Sequence, residues 1–130
     1  MTRYLLDTDV LISFTRGREP TYPAIRRLID AGEELCTCPV IVAEFYSGIP
    51  RGERAAFDAF IDGMTSLGIS HEEALLAGHH RFTFARAGTA LSTPDTLIAA
   101  VATKHGATVI TRNLKDFPMA DVRAVGVADL

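Results

Sequence analysis

The chain has 130 residues, 48% of them apolar and none in a low-complexity run, which suits one domain spanning residues 1–130 and excludes a second. Its formal charge of −3 excludes a blanket electrostatic grip on nucleic acid, although clustered acids can mask a balanced surface elsewhere. No segment approaches the roughly 18 apolar residues of a membrane span, and the start Met1-Thr2-Arg3-Tyr4 lacks the apolar core of a secretion signal, so a cytoplasmic protein without membrane contact is expected.

Arg3 to Leu6 is an apolar run short enough for a buried strand. It ends in Asp7-Thr8-Asp9, and a helix-compatible apolar run resumes at Val10. This is a strand-to-helix junction carrying carboxylates. Ligands of open α/β sheets bind outside the carboxyl ends of the strands, and two acids there need a cation, strong hydrogen bonds or a raised pKa. The short helix, about 10–15, is broken by Gly17 and Pro20. A second helix begins near Thr21, with Pro23 in its first turn and Ile25, Leu28 and Ile29 at helical spacing, and stops at Gly32. Leu35 to Cys38 predicts the second strand. Cys36 and Cys38 would then point to opposite faces, so neither a mutual disulfide nor a shared zinc is expected, and buried thiols of a reducing compartment are.

Pro39 opens a helix whose apolar run, Val40 to Tyr46, holds a single charge, Glu44. Alone, Glu44 reads as a solvated flank position. Gly52 to about Leu67 predicts an amphipathic helix with Ala55, Phe57, Phe60, Ile61 and Met64 on one side. A short strand over 68–70 and a helix from Glu72 to about Ala87 follow. On that helix His79 and His80 diverge by about 100° and do not face a common ligand. Thr93 is a natural N-cap for the next helix, with Pro94 at its first position and Asp95 in its first turn, where the helix dipole by itself favours an anion. The helix ends at Gly106. Ala107 to Thr111 is short, β-branched and apolar, a buried strand completing a right-handed β-α-β unit. Polar residues from Arg112 to Asp116 emerge at its carboxyl end, and Val122 to Val127 predicts a final edge strand. Strands alternating with helices predict an α/β fold, a mainly parallel sheet with helices on both faces.

With the strands parallel, Asp7, Glu44, Asp95 and Asp116 reach one edge of that sheet. Four such carboxylates raise one another's pKa, and hard divalent cations remove the repulsion. Two cations ≈ 3.5–4 Å apart can activate a water and stabilise the leaving oxygen of a phosphodiester, with no need of histidine or cysteine. Setting the four acids aside leaves 13 basic against 12 acidic residues, so the remaining surface is near neutral, at +1.

Four blocks, Leu6 to Ile12, Pro39 to Glu44 with Gly48, Thr93 to Ala100, and Thr111 to Phe117, resemble in order and spacing those of PIN-domain ribonucleases. The resemblance spans the chain and is closest to the VapC-type toxins of bacterial type II toxin–antitoxin modules. It implies a three-layer PIN-like fold, Mg²⁺- or Mn²⁺-dependent endoribonuclease activity, a homodimer, and inhibition by a VapB-like antitoxin whose C-terminal segment enters the active-site groove. By position, Asp7, Glu44, Asp95 and Asp116 resemble the catalytic, metal-binding acids. Asp9 matches a position where the family also accepts Asn or Ser, and is read as orienting a ligand or a water. Thr8, Thr111 and Asn113 look like polar supports of the site. The chemistry implied is in-line attack by a metal-activated water on an RNA phosphodiester, leaving a 5′-phosphate and a 3′-hydroxyl. Arg112 and Lys115, beside the acids, are read as phosphate contacts. Phe45 stands where many relatives have Leu, a departure that bears on packing. Other readings are a metal-dependent phosphatase or phosphoacceptor domain, whose lysine at a later strand end Lys104 and Lys115 fit poorly, a PIN-like RNA-processing nuclease that is no toxin, and a module that binds RNA or protein without cutting. A binding-only surface has little use for four acids facing phosphate.

Overall fold

The computed structural model describes residues 1–130. Five strands form one sheet in the order β3-β2-β1-β4-β5. They are β1 (Arg3–Leu6), β2 (Glu34–Thr37), β3 (Thr65–Ser66), β4 (Thr108–Ile110) and β5 (Arg123–Val125). Every neighbouring pair is parallel, so the expectation of a mainly parallel sheet holds throughout. The six α-helices are α1 (Thr8–Thr15), α2 (Thr21–Asp30), α3 (Pro39–Ser47), α4 (Ala55–Gly63), α5 (His71–Arg86) and α6 (Thr93–His105). The chain steps from β1 out to β3 and then back across the sheet to β4, and with the right-handed crossovers that parallel strands require this puts α1–α4 on one face and α5–α6 on the other. That is the expected three-layer α/β architecture.

The central strands are buried on both sides, which is why their sequences are apolar rather than alternating. Leu5, Leu6, Val109 and Ile110 are fully buried, as are Val10, Leu11, Ile41, Phe45 and Ile98 on the helices that cover them. Each such side chain contributes about 1.5–3 kcal/mol of burial, so the strand ends beside them are held firmly in register. The Asp7 N–H extends the β1–β4 ladder by one bond, donating to the Ile110 carbonyl at 3.0 Å. No helix is long and apolar enough to cross a membrane.

Several boundaries differ from the sequence reading. Helix α1 starts at Thr8 rather than Val10, because Asp7 caps it. The predicted long helix from Gly52 to Leu67 is a 3-10 turn, Arg51–Glu53, followed by the shorter α4. Met64 is extended, with φ −80° and ψ 153°, and the next strand falls at Thr65–Ser66 rather than 68–70. Thr65 and Ser66 pair with Cys36 and Thr37 across the sheet, a partner no local pattern reveals. Cys38 lies past the end of β2, at the head of α3, so strand alternation does not separate it from Cys36. Both thiols are buried and outside any disulfide, and burial raises both pKa values, that of Cys36 to about 11.

Candidate active site

Three of the four acids sit on one hydrogen-bonded chain at the carboxyl edge of the sheet. Asp7, the residue after β1, accepts the Thr8 N–H on Oδ1 at 2.9 Å and the Thr111 hydroxyl on Oδ2 at 2.9 Å. The Thr8 hydroxyl donates to Glu44 Oε1 at 2.8 Å, tying α3 to the first turn of α1. In the other direction Thr111 Oγ1 accepts the Asn113 N–H at 3.0 Å, and the Asn113 side-chain amide donates to Asp116 Oδ2 at 2.8 Å. The chain thus runs Glu44, Thr8, Asp7, Thr111, Asn113, Asp116. It links residues up to 104 apart in sequence.

Asp95 arrives from the opposite face. Helix α6 feeds β4 and so runs antiparallel to the strands, which brings its first turn to their carboxyl edge. Its N-cap is Ser92 rather than the expected Thr93, and the Asp95 N–H donates to Ser92 Oγ at 3.2 Å. Pro94 is therefore the second helical residue, which costs nothing, since its missing N–H is unused there too. The Ser-x-x-Asp spacing is a capping signal that points to Ser92 from sequence alone.

The electrostatics link all four acids. Burial first, and then the charges of Asp116, Asp7 and Glu44, push the Asp95 carboxyl above its usual range, although its bond with Ser92 pulls the other way. Asp7 is raised chiefly by burial, and further by Asp9 and Glu44, against the pull of Thr111 and Thr8. Asp7, Asp95 and Asp116 are half-buried, whereas Glu44 and Asp9 are exposed. Asp9 makes no hydrogen bond to the other acids and acts on Asp7 through its charge. Arg112 and Lys115 are both exposed. Lys115 lies in the 3-10 turn Leu114–Asp116, and Arg112 leans the other way, with Nη1 3.5 Å from Ser13 Oγ on α1.

The donor set is all oxygen, which matches the preference of Mg²⁺ and Mn²⁺. No three of the acids already have the spacing of a ready-made metal cage. Carboxylates that repel one another stand apart, and Mg²⁺ tolerates this because it keeps several waters of its own. The residues therefore fit a hard divalent cation held partly through water, and they do not fit a soft metal.

Comparison with known proteins shows the family. The ribonuclease VapC19 of Mycobacterium tuberculosis is 27% identical over 115 residues, covering 88% of this chain and 92% of its own. A tRNA(fMet)-specific endonuclease VapC of Salmonella typhimurium is 28% identical over 122 residues, covering 90% and 91%. The crystal structure of DNA-bound VapBC from Salmonella typhimurium superimposes with a TM-score of 0.80 at 25% identity, over 98% of this chain and 99% of that one. Residues 4–122, which include all four acids, match the PIN domain, and the chain belongs to that family.

Proposed function

We propose that this chain is a ribonuclease toxin of the VapC type, cleaving RNA phosphodiesters at the edge where Asp7, Glu44, Asp95 and Asp116 gather. Supporting it are the relatives named as ribonuclease and tRNA endonuclease, each matched over about nine-tenths of its length. The single observation that carries the chemistry is the hydrogen-bonded chain from Glu44 through Asp7 to Asp116, with Asp95 in electrostatic contact with all three. Mg²⁺ or Mn²⁺ held by these acids would supply charge neutralisation and an activated water for attack on phosphorus.

The residues themselves perform the positioning. Thr8 and Thr111 donate to Glu44 and Asp7, and Asn113 donates to Asp116, so each acid is fixed in orientation while keeping lone pairs free for a cation or its waters. Ser92 holds the first turn of α6, which aims Asp95 at the same place. Asp9 adds negative charge at the rim. Arg112 and Lys115, both exposed and flanking Asn113 and Leu114, are assigned to the phosphates of a chain laid across the edge. Acting as a toxin requires a partner that silences it. The VapBC structure, in which the matching chain belongs to an antitoxin complex, supports a VapB-like antitoxin here, and the family resemblance supports a homodimer.

The test is cleavage of structured RNA by purified protein freed of antitoxin. Cleavage is expected with Mg²⁺ or Mn²⁺ and is expected to stop when a chelator is in excess. Asp7→Asn and Asp95→Asn should each lose at least 100-fold in rate while keeping the wild-type circular dichroism. Undiminished cleavage in chelator, or by those variants, would overturn the assignment.

A further inference from the structure

Next to the acids lies a cavity of about 520 Å³, a size that takes a nucleotide-scale group. Thr111, whose hydroxyl donates to Asp7 Oδ2, belongs to its wall as well as to the carboxylate chain. The wall also holds Ser13 and Thr21, both buried, and two exposed arginines, Arg18 and Arg112. Neither arginine is in an ion pair. Glu19 is the one carboxylate on the wall, and it lies more than 4.0 Å from both guanidinium groups, leaving the lining at +1.

Arg18 is held in place by its backbone. Its N–H donates to the Ser13 carbonyl at 2.9 Å, and its own carbonyl accepts the Tyr22 N–H at 2.7 Å, so the α1–α2 turn is tied at both ends. Gly17, at φ +67°, supplies the left-handed residue that lets the chain reverse there. Two arginines without a carboxylate partner, one with its Nη1 3.5 Å from the Ser13 hydroxyl, beside the edge proposed to cleave phosphodiesters, match the chemistry of a phosphate and its ribose.

We propose that this cavity is a subsite for the RNA nucleotide adjoining the scissile bond, with Arg18 and Arg112 gripping its phosphate. The assignment rests on the ribonuclease reading, because an RNA chain engaged at the acids would continue past Thr111 into the cavity. Arg18 is the new element. It lies 11 residues from Asp7, the nearest in sequence of the four gathered acids, and no family block contains it.

The experiment measures binding apart from cleavage. A short fluorescein-labelled single-stranded RNA of mixed sequence is titrated by anisotropy against the Asp95→Asn protein with Mg²⁺ present, in series with added Arg18→Ala, Arg112→Ala or Arg18→Lys. Each alanine variant should weaken binding about tenfold and lower the slope of log affinity against log salt by about 0.7, the value for one lost single-strand phosphate contact. Arg18→Lys should recover most of the charge-dependent part. Arg26→Ala, on the outer face of α2 where Arg26 pairs with Asp30 at 3.5 Å, should change neither quantity. Unchanged affinity and salt slope in both folded alanine variants would overturn the subsite, as would variants that lose only antitoxin binding. If wild-type protein cleaves RNA while the arginine variants bind and cleave as it does, the subsite falls and the nuclease stands. If binding depends on both arginines but nothing is cleaved, the nuclease falls and the subsite with it, leaving only an RNA-binding cavity.

Discussion

Asp95 meets two opposed demands. Burial and the charges of Asp116, Asp7 and Glu44 make its ionised form unfavourable, and only Ser92 and the amino end of α6 support it. Its folded pKa lies above its unfolded value, so stability is fully present below the unfolded pKa and is lost as pH rises through the folded one. At neutral pH the group therefore works against folding. Asp95→Asn should melt a few degrees higher than wild type at pH 7 in chelator, and the difference should shrink as pH falls toward 4. A variant that melts lower at pH 7 would show that repulsion is not the dominant influence there. Asp7 was legible because it stands at the end of an apolar run, whereas Glu44 lies exposed inside one and Asp95 opens a helix, so their nearness to Asp7 was legible only through the order of the elements. Ser92 was less so, because Ser92 and Thr93 are both good caps and the choice rests on which hydroxyl faces the Asp95 N–H.

At the scale of the element, α5 shows how a helix start that binds no substrate still sets a pH dependence. Glu73 is buried, and its Oε2 accepts the Ser70 N–H at 2.9 Å and the Ser70 hydroxyl, a reciprocal capping box. Lys104 Nζ lies 3.7 Å from Oε1 and His105 Nε2 lies 3.9 Å away, on the neighbouring α6. The bonds from Ser70, outweighing burial, hold the Glu73 carboxyl down at about 2. A depressed folded pKa gives stability that is present above the unfolded value and lost as pH falls through the folded one, here from about 4.5 to about 2. Glu73→Gln should therefore melt several degrees below wild type at pH 7, and the gap should close between pH 5 and pH 2.5 in a series of thermal melts. A gap of equal size at both ends would mean that the charge of Glu73 contributes nothing. The end of α6 was readable at Gly106, which adopts φ +63°. What could not be read was β3. Two residues, Thr65 and Ser66, carry no period, and their strand character comes wholly from pairing with Cys36 and Thr37 about 30 positions earlier.

Over the whole molecule, the order of the strands gathers the acids, and with them most of the electrostatic strain. The backbone supplies this through burial of Leu5, Leu6, Val109 and Ile110 between the helix layers, without help from the acids. The fold was legible because its longer strands are short apolar runs alternating with helical segments, whereas the cavity beside Thr111 was not, since Arg18, Thr21 and Arg112 meet only through the crossing of α1, α2 and β4. A folded state that concentrates repulsion at one edge should respond to any cation that relieves it. For an ion that binds only the native state, stability rises by about 2.7 kcal/mol at about 100 times the dissociation constant. That is roughly 10 °C in melting midpoint for a domain of this size. Wild-type protein should show such a rise with Mg²⁺ or Mn²⁺ and much less with Na⁺ at matched ionic strength, because general screening acts weakly on half-buried charges. Asp7→Asn combined with Asp95→Asn should start from a higher midpoint and respond little. Equal responses of wild type and double variant would mean that the cation binds elsewhere, and that the gathered carboxylates are not where its charge is needed.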